Sequence, residues 1–297
     1  MANVTSPTLN TVYANILYKG HGKDKSIDNS YRTISTCSLI AKTLDLYIRE
    51  LCSLNWEEVQ AKTQFQGKGM SHELSALLLS ECIQHSTLDQ KLPIYTLFLD
   101  AKSAFDFVLF EILGRRLYLD GTGDQNLSFI LRRLENRITF CDWNKDLMGP
   151  INDEQGLEQG GVNSSDLYKV VNNEQLTVPH ESDFGVKLID TGAPADLRDV
   201  AGDVHIASIG QADDTVLLSN DLVKLKFLLQ LTINFCNKYH IQLSPSKTKL
   251  QAYFPSNFSG DKQYLMNSVP ITIGDSTIKF VDAAEHVGVV RSVDGNL

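Results

Sequence analysis

The spacing of apolar positions in the first ninety residues predicts helices separated by polar breaks. Ile40, Leu44 and Ile48 recur every four residues within Ser35–Cys52, which is typical of an amphipathic helix. A second helix is predicted after Ser71, a residue type that caps helix N-termini. Its apolar positions share one face: Leu74, Leu77, Leu78 and Cys82.

Strands alternate irregularly with helices over the rest of the chain. Ile94–Leu99 is a continuous apolar run that ends at Asp100, which indicates a central buried strand. Asp203–Ser219 contains two short apolar strands joined by a turn at 210–214, and 247–254 alternates as a strand. Further helices are predicted with Leu109, Ile112, Leu113 and Leu117 facing inward, and from a cap at Asp221 to about Tyr239. This order favours an α+β fold with an antiparallel sheet over a doubly wound α/β fold.

Composition narrows the class of protein. The 297 residues allow one or two domains, and 42% apolar with 21% charged residues is ordinary for a folded protein. No apolar run approaches the roughly 18–20 residues of a membrane span, and the N-terminus lacks the pattern of a secretion signal. The five cysteines are scattered without a C-x-x-C pair. We therefore expect an intracellular, non-membrane protein with free thiols, and neither a disulfide framework nor a zinc site.

Three features carry candidate chemistry. Asp100 ends a buried strand, Asp213 and Asp214 lie in a hairpin turn, and Gln159-Gly160 lies in a glycine-rich stretch between them. Closely packed carboxylates repel unless a cation neutralises them, and Mg²⁺ prefers one or two carboxylates with substrate phosphates. Each feature alone has a simpler interpretation, since Asp is common in turns and caps and glycine-rich segments are usually loops.

Six segments in collinear order resemble the motifs of reverse transcriptases, especially those of non-LTR retrotransposons. LFLDAKSAFDFV resembles motif A, GLEQGGVNSSDLYKV motif B and GQADDTVLLS motif C. NKYHIQLSPSKTKLQAYF resembles motif D, AEHVGVV lies where motif E would be, and LYKGHGKDKSIDNSYRTISTCSLIAKTL is similar to a fingers segment. The resemblance extends from about residue 11 to 292. It implies an RNA-directed DNA polymerase with a right-hand fingers–palm fold, an antiparallel palm sheet backed by helices and most of the thumb missing.

The resemblance also implies roles for individual residues. Asp100 and Asp213 would bind two Mg²⁺ ions, or Mn²⁺ in their place, with Asp214 in support, and Lys247 would protonate the pyrophosphate. The substrates would be a deoxynucleoside triphosphate, an RNA template and a DNA primer. The residues implied to contact the nucleotide are Phe105 as the gate that excludes a 2′-hydroxyl, Ser103 and Ala104 through backbone amides, Gln159 and Gly160 beside the nucleotide and template, and Lys19, Lys23 and Arg32 on the phosphates. The implied primer grip is His286, Val287 and Gly288.

The same resemblance gives the expected domain organisation. A fingers-like segment would span 1–95 and a palm 96–297, with part of 115–150 returning to the fingers. We expect the endonuclease and thumb regions of a longer element protein to be missing. Such regions are typically basic, and we expect their absence to explain the net charge of −9, which otherwise counts against nucleic-acid binding.

Other interpretations remain open at this stage. Phe105 could be a core residue, Lys249 could replace Lys247, His286 could be structural, and Asp106 is expected to be a helix N-cap or to support the metal site indirectly. The sequence departs from the family pattern at Gln211, where an aromatic residue is usual, at Ser164-Ser165 and at Arg32-Thr33.

Three other functions compete with a working reverse transcriptase. A silent truncated remnant could keep the fold and serve as an RNA-binding scaffold. An RNA-templated RNA polymerase is disfavoured by Phe105. A Mg²⁺ phosphatase or nuclease leaves motifs B and D unexplained.

Overall fold

The computed structural model describes residues 7–20, 22–27, 30–58, 60–66, 69–143, 145–188 and 204–293. The chain divides into two compact units. Unit 1 comprises Met1–Gln60 and Ser103–Val171, and unit 2 comprises Ala61–Lys102 and Asn172–Leu297. The α+β class expected from the sequence is confirmed, whereas the division into fingers at 1–95 and palm at 96–297 stays a prediction.

Unit 1 is built on a four-stranded sheet. Its strands are β1 (Thr11–Tyr18), β2 (Tyr31–Cys37), β5 (Ile138–Trp143) and β6 (Asp146–Asn152). They lie in the order β2-β1-β5-β6, with β1 parallel to β5 and the other neighbours antiparallel. The helices are α1 (Pro7–Asn10), α2 (Leu39–Glu58), α4 (Phe110–Leu119), α5 (Asp124–Glu135) and the first part of α6 (Ser164–Glu181).

The first predicted helix begins later than the sequence suggested. Its expected start at Ser35 is wrong, because Tyr31–Cys37 forms strand β2 and Ser35 pairs with Ala14 of β1. Helix α2 starts at Leu39, with the Ser38 hydroxyl accepting a hydrogen bond from the amide of Ala41 at 3.2 Å. The expected apolar face is only partly correct, since Ile48 is buried but Ile40 is exposed.

Unit 2 is built on an antiparallel sheet. Its strands are β3 (Ile94–Leu99), β9 (Ser208–Gln211), β10 (Asp214–Ser219) and β12 (Lys249–Tyr253), in the order β12-β3-β10-β9. Beside β9, the amide of Phe65 donates a hydrogen bond to the Gly210 carbonyl, and the Thr63 carbonyl accepts one from the Gly210 amide. The helices are α3 (His72–Gln84), the second part of α6, α7 (Leu222–Lys238) and α8 (Lys262–Ser268).

Unit 2 also contains several pairs of short strands. They are β4 (Ala101–Lys102) with β11 (Gln242–Leu243), β7 (Val186–Leu188) with β8 (Val204–Ile206), β13 (Thr272–Ile273) with β14 (Ser276–Thr277), and β15 (Ala283–His286) with β16 (Val289–Ser292).

Apolar side chains fill both faces of the unit 2 sheet. On one face Leu97 and Leu217 pack in a cluster with Leu225 of α7, and on the other Phe98 and Val216 pack in a cluster with Leu79 of α3. Every position of Ile94–Leu99 is buried, which confirms the predicted central strand. This double coverage holds the carboxyl end of β3 in a fixed position, where Asp100 follows.

Helix caps explain where the helices of unit 2 begin. The Asp221 carboxylate accepts hydrogen bonds from the amides of Val223 and Lys224, and the Ser71 hydroxyl accepts one from Leu74. Both caps were predicted, because these short polar side chains satisfy amides that the first helical turn leaves unpaired. Asp106 is not a helix N-cap, since α4 begins at Phe110 after Leu109.

The cysteines and the lengths of the helices complete the description of the fold. All five cysteines are free, and burial raises the pKa of Cys82 and Cys236 to about 12. Within the described ranges, no helix combines the length and apolar character that crossing a membrane requires.

Candidate active site

The turn between β9 and β10 presents two carboxylates at one end of the unit 2 sheet. Gln211 pairs with Asp214, so Ala212 and Asp213 form a two-residue hairpin turn. Ala212 adopts φ of 57°, and a positive φ at the first turn position matches the twist of the flanking strands. The side-chain amide of Asn172 donates a hydrogen bond to the Ala212 carbonyl at 3.3 Å. The predicted hairpin at this position is confirmed.

Strand pairing brings Asp100 to the same end of the sheet. Leu99 is the register partner of Thr215, so Asp100 follows β3 beside the residue with which β10 begins, Asp214. The Asp100 carbonyl accepts a hydrogen bond from the amide of Ser244 at 2.8 Å, which fixes the backbone here. Three carboxylates therefore cluster on two neighbouring strands.

The electrostatics of this edge show the cost of the arrangement. Loss of hydration raises the pKa of Asp213, and the negative charge of Asp100 raises it further. Loss of hydration likewise raises the pKa of Asp214 to about 6, with added repulsion from Asp213, Asp100 and Glu285. Both side chains remain accessible to solvent, so a ligand can reach them. A bound cation would relieve this repulsion.

Lys247 supplies positive charge to the cluster. Its ammonium group lies 3.3 and 3.2 Å from the two carboxylate oxygens of Asp100. The side chain is two-thirds exposed, at 67%, so the ion pair is weak and can be broken by a competing ligand. The structure thus brings together Asp100, Asp213, Asp214 and Lys247, as predicted from their motifs.

A cavity of about 340 Å³ opens beside the carboxylates. It is lined by Phe98, Leu99, Asp100, Asp214, Thr215, Ser246, Lys247, Lys249, Glu285, His286 and Val287. Sequence reasoning missed Glu285 and Ser246 as lining residues. Ser246 directly precedes the motif D lysine, and Glu285 directly precedes His286 in the motif E segment, so both could have been found from their motifs.

The three carboxylates alone would supply only some of the ligands that a divalent cation needs. Nowhere in the described ranges do three or more His, Cys, Asp or Glu residues form a group that could hold a metal ion. Mg²⁺, however, uses one or two carboxylates together with substrate phosphates and water. Asp100, Asp213 and Asp214 fit this mode, because the pKa values of Asp213 and Asp214 remain raised even with Lys247 beside Asp100, and substrate would supply the remaining ligands.

His286 of the predicted primer grip borders the same cavity. Its ring lies 5.7 Å from the Phe98 ring, and neither ring nitrogen has a hydrogen-bond partner among the described residues. The side chain is 4% exposed, and burial lowers its pKa to about 4, with smaller contributions from Arg291 and His72. The adjoining Val287 and Gly288 form the turn between β15 and β16, with φ of 48° and 82°.

The buried His286 predicts a pH-dependent stability. An unfolded histidine binds a proton below about pH 6.5, but His286 in the folded state resists protonation until about pH 4. The unfolded state therefore binds more protons in this window, and the free energy of unfolding falls as the pH drops through it. Relative to His286→Phe, the wild type should lose roughly 2–3 kcal/mol between pH 7 and pH 4. Urea unfolding of both proteins at several pH values checks this, and parallel pH profiles would contradict it.

Phe105, Ser103 and Ala104 lie in unit 1, at the start of its second segment. The Phe105 ring stacks on Tyr168 with centroids 4.4 Å apart and planes inclined by 13°. Its carbonyl accepts a hydrogen bond from the amide of Leu157 at 2.8 Å. Ser103 adopts φ of 47°, and Ala104 is buried. The Phe105 ring is therefore held from one side but is only half-buried, which suits a surface that a ligand contacts.

Gln159 and Gly160 also lie in unit 1, beside strand β2. The Gln159 carbonyl accepts a hydrogen bond from the amide of Ser35 at 2.7 Å. Gly160 has φ of 99°, and a Cβ there would lie 3.1 Å from the Ser35 carbonyl oxygen, so glycine is required. Exposed Arg32 lies on the same strand as Ser35.

Lys19 and Lys23 belong to the loop between β1 and β2 in unit 1. The amide of Lys19 donates to the Ser30 carbonyl at 2.8 Å, which closes the base of the loop. Lys23 is exposed farther along it. The roles of all these unit 1 residues stay predictions, as does the role of Lys247.

Gln211, which departs from the family pattern, lies in a buried environment that disfavours a polar side chain. Its side chain is only 7% exposed, and Oε1 has no hydrogen-bond partner among the described residues. A buried polar atom without a partner is unfavourable by about 1–3 kcal/mol. Gln211 is the strand partner of Asp214, so any substrate that reaches this carboxylate comes close to the amide.

The sequence of the chain matches a known protein family. Residues 21–281 match the family described as reverse transcriptase (RNA-dependent DNA polymerase). No curated protein sequence matches the chain significantly.

Solved structures share the fold. Apo telomerase from Candida tropicalis, truncated from its C-terminal domain, matches with a TM-score of 0.58 and 12% identity over 98% of this chain and 56% of that chain. Telomerase from the same organism in complex with a TWJ fragment of telomeric RNA gives 0.58 and 9% identity, over 96% and 45% of the two chains. A further apo telomerase from this organism gives 0.56 and 10%, over 98% and 50%. The chain thus spans about half the length of these telomerase chains.

Proposed function

Since the chain belongs to the reverse transcriptase (RNA-dependent DNA polymerase) family, we propose that it is the polymerase core of a non-LTR retrotransposon. It extends a DNA primer on an RNA template with deoxynucleoside triphosphates. The observation that carries the proposal is the convergence of Asp100, Asp213 and Asp214 at one end of the unit 2 sheet. The assignment to a non-LTR element rests on the resemblance of motifs A to E described above.

The carboxylate cluster accounts for the proposed chemistry. The primer 3′-hydroxyl loses its proton to water, its oxygen forms a bond to the α-phosphorus of the nucleotide, and the bond from that phosphorus to the pyrophosphate oxygen breaks. Asp100 and Asp213, supported by Asp214, would hold two divalent ions, Mg²⁺ or Mn²⁺, which would lower the pKa of the 3′-hydroxyl and neutralise the leaving pyrophosphate. Asp100 follows β3 beside Asp214, and Asp213 precedes Asp214 in the turn, so both reacting oxygens would lie at the same end of the sheet.

Lys247 is proposed as the acid that gives the leaving pyrophosphate its proton. Its flexible, exposed side chain reaches the edge where Asp100 lies and is held there only by a weak ion pair. In this proposed step, a proton passes from Lys247 Nζ to the pyrophosphate oxygen that has been released from the α-phosphorus.

Lys247→Met should lower the rate of single-nucleotide incorporation by about 100-fold, within the range that general acids contribute. Lys249→Met serves as the matched control, because Lys249 lines the same cavity but has no ion pair with Asp100 among the described contacts. Rapid-quench measurement of incorporation should show less than about a threefold effect for this control. The reverse ranking would assign the acid to Lys249.

The unit 1 residues are proposed to bind the nucleotide and template. Phe105 is proposed to pack against the sugar, with Gln159 and Gly160 beside the base pair. The amides of Ser103 and Ala104 and the side chains of Lys19, Lys23 and Arg32 are proposed to contact the triphosphate. Cations and backbone amides favour an anionic group of this kind.

Primer extension tests the proposal directly. The protein is incubated with a poly(rA)/oligo(dT) hybrid, dTTP and Mg²⁺, and elongated primer is the expected product. Ribonucleotide UTP in place of dTTP should give far less product, which separates this function from an RNA-templated RNA polymerase. A protein that binds the hybrid in fluorescence anisotropy but extends nothing would contradict the proposal and favour an RNA-binding scaffold.

A further inference from the structure

The hairpin β15–β16 brings His286 and Val287 to the cavity, but it has few strand contacts of its own. Its four register pairs join only the two strands to each other. A two-stranded hairpin of this length has little independent stability. Its turn adds strain, because Val287 is β-branched and adopts a positive φ of 48°. The position of the turn therefore depends on what holds the strands from outside.

One attachment fixes the hairpin to the sheet of unit 2. Gln251 of β12 is completely buried, and its side-chain amide donates hydrogen bonds to the carbonyls of Asp282 and Arg291 at 3.3 and 3.1 Å. Its oxygen accepts a hydrogen bond from the Tyr253 hydroxyl at 2.8 Å. Both ends of the hairpin are thus held by a single side chain.

A second attachment fixes the hairpin to helix α3. The Arg291 guanidinium donates hydrogen bonds to the Ala76 carbonyl at 2.6 Å and to the Ser80 hydroxyl at 2.9 Å. These acceptors lie one helical turn apart, so the planar guanidinium sets both a distance and an orientation. Arg291 is the register partner of Ala284, and Ala284 lies two residues before His286.

We infer that Arg291 is a positioning residue for the primer. By fixing β16 to α3, it places the turn at His286 and Val287 against the cavity that Asp100 and Asp214 also line. This inference rests on the proposed polymerase function. A hairpin held in one position contacts the primer without first losing conformational freedom, so we expect a protein without this attachment to bind the primer–template hybrid more weakly. Arg291 itself does not line the cavity, so it acts through the hairpin.

The test uses Arg291→Ala and the conservative Arg291→Lys, with Arg116→Ala as the matched control. Arg116 is a partly buried arginine of unit 1 that ion-pairs with Asp120 at 3.8 Å. In primer extension, Arg291→Ala should raise the KM for the primer–template hybrid by about tenfold and change the KM for dTTP by less than about threefold. Arg291→Lys should fall between Arg291→Ala and the wild type, since lysine keeps the charge but loses the fork.

Two further readouts separate positioning from general destabilisation. Millimolar guanidinium should return the hybrid KM of Arg291→Ala toward the wild-type value, because free guanidinium can donate to the Ala76 carbonyl and the Ser80 hydroxyl in place of the arginine side chain. It should have no effect on Arg116→Ala. All assays are run well below the melting temperature of each variant, which circular dichroism provides. If Arg291→Ala leaves the hybrid KM unchanged, or raises it in a way that guanidinium does not reverse, the inference about Arg291 is overturned. The proposed polymerase function still stands in that case, provided that the wild type extends the primer. A wild type without extension would overturn both.

Discussion

Asp213→Asn is expected to reduce nucleotide incorporation by at least about 1,000-fold, equivalent to about 4 kcal/mol of lost transition-state stabilisation. Asparagine has nearly the same shape but no negative charge, so the site would lose much of its affinity for divalent ions. Single-turnover extension of oligo(dT) on poly(rA) measures this effect. A variant that keeps more than about a tenth of the wild-type rate would remove Asp213 from the proposed catalytic role.

The structure offers a matched control for this substitution. Asp275 is also the second residue of a two-residue hairpin turn, between β13 and β14, and it is exposed. Asp275→Asn removes the same charge from the same unit and should leave the rate within about twofold of the wild type.

Stability measurements distinguish lost chemistry from lost fold. Desolvation raises the pKa of the Asp213 carboxyl, so its ionised form at pH 7 destabilises the folded state relative to the unfolded state. Asp213→Asn should therefore unfold at an equal or higher temperature than the wild type. An inactive variant with a markedly lower melting temperature would instead attribute the loss to misfolding.

Phe105→Ala is expected to reduce discrimination against ribonucleotides by about 100-fold, equivalent to roughly 3 kcal/mol. The Phe105 ring rests face to face on Tyr168 and cannot easily move toward it to make room for a 2′-hydroxyl. Removing the ring would open that space, while the phosphates and the base would bind as before. The ratio of kcat/KM for dTTP to that for UTP on poly(rA) measures the change.

Tyr118→Ala controls for loss of an aromatic side chain in unit 1. Tyr118 is 63% exposed on α4, and its removal should leave the dTTP-to-UTP ratio unchanged. If Phe105→Ala also leaves the ratio within about threefold but lowers the melting temperature, Phe105 is a core residue. This would be the simpler interpretation that its sequence position allowed.

Part of the candidate site was predictable because its signals are local. The continuous apolar run of Ile94–Leu99 predicts a strand covered on both faces, and Asp100 must then follow at its end. The pairing of Gln211 with Asp214 across a two-residue turn was likewise predictable from turn chemistry. The resemblance to reverse transcriptases supplied the grouping of these segments, and the match over residues 21–281 confirms the family.

Other features depend on partners that are distant in the sequence. The predicted helix start at Ser35 failed because β1 provides a strand partner for Tyr31–Cys37, and local periodicity contains no information about that partner. Asp106 failed as a helix cap because the chain makes a further turn before α4 begins. Glu285 lies in the AEHVGVV segment, but only the position of the hairpin shows that its side chain lines the cavity.

The sequence by itself determined the buried strand, the hairpin that turns at Ala212 and Asp213, the caps at Ser71 and Asp221 and the family, because each depends on neighbouring residues or on motif order. Only the tertiary structure decided that Lys247 meets Asp100, that the ring nitrogens of the buried His286 have no hydrogen-bond partner among the described residues, and that Arg291 connects the hairpin to α3. The contact of Lys247 with Asp100 joins residues 147 positions apart in the sequence, and that of Arg291 with Ala76 joins residues 215 positions apart. Long-range contacts of this kind form only when packing of the apolar core brings the elements together, and no local pattern encodes them.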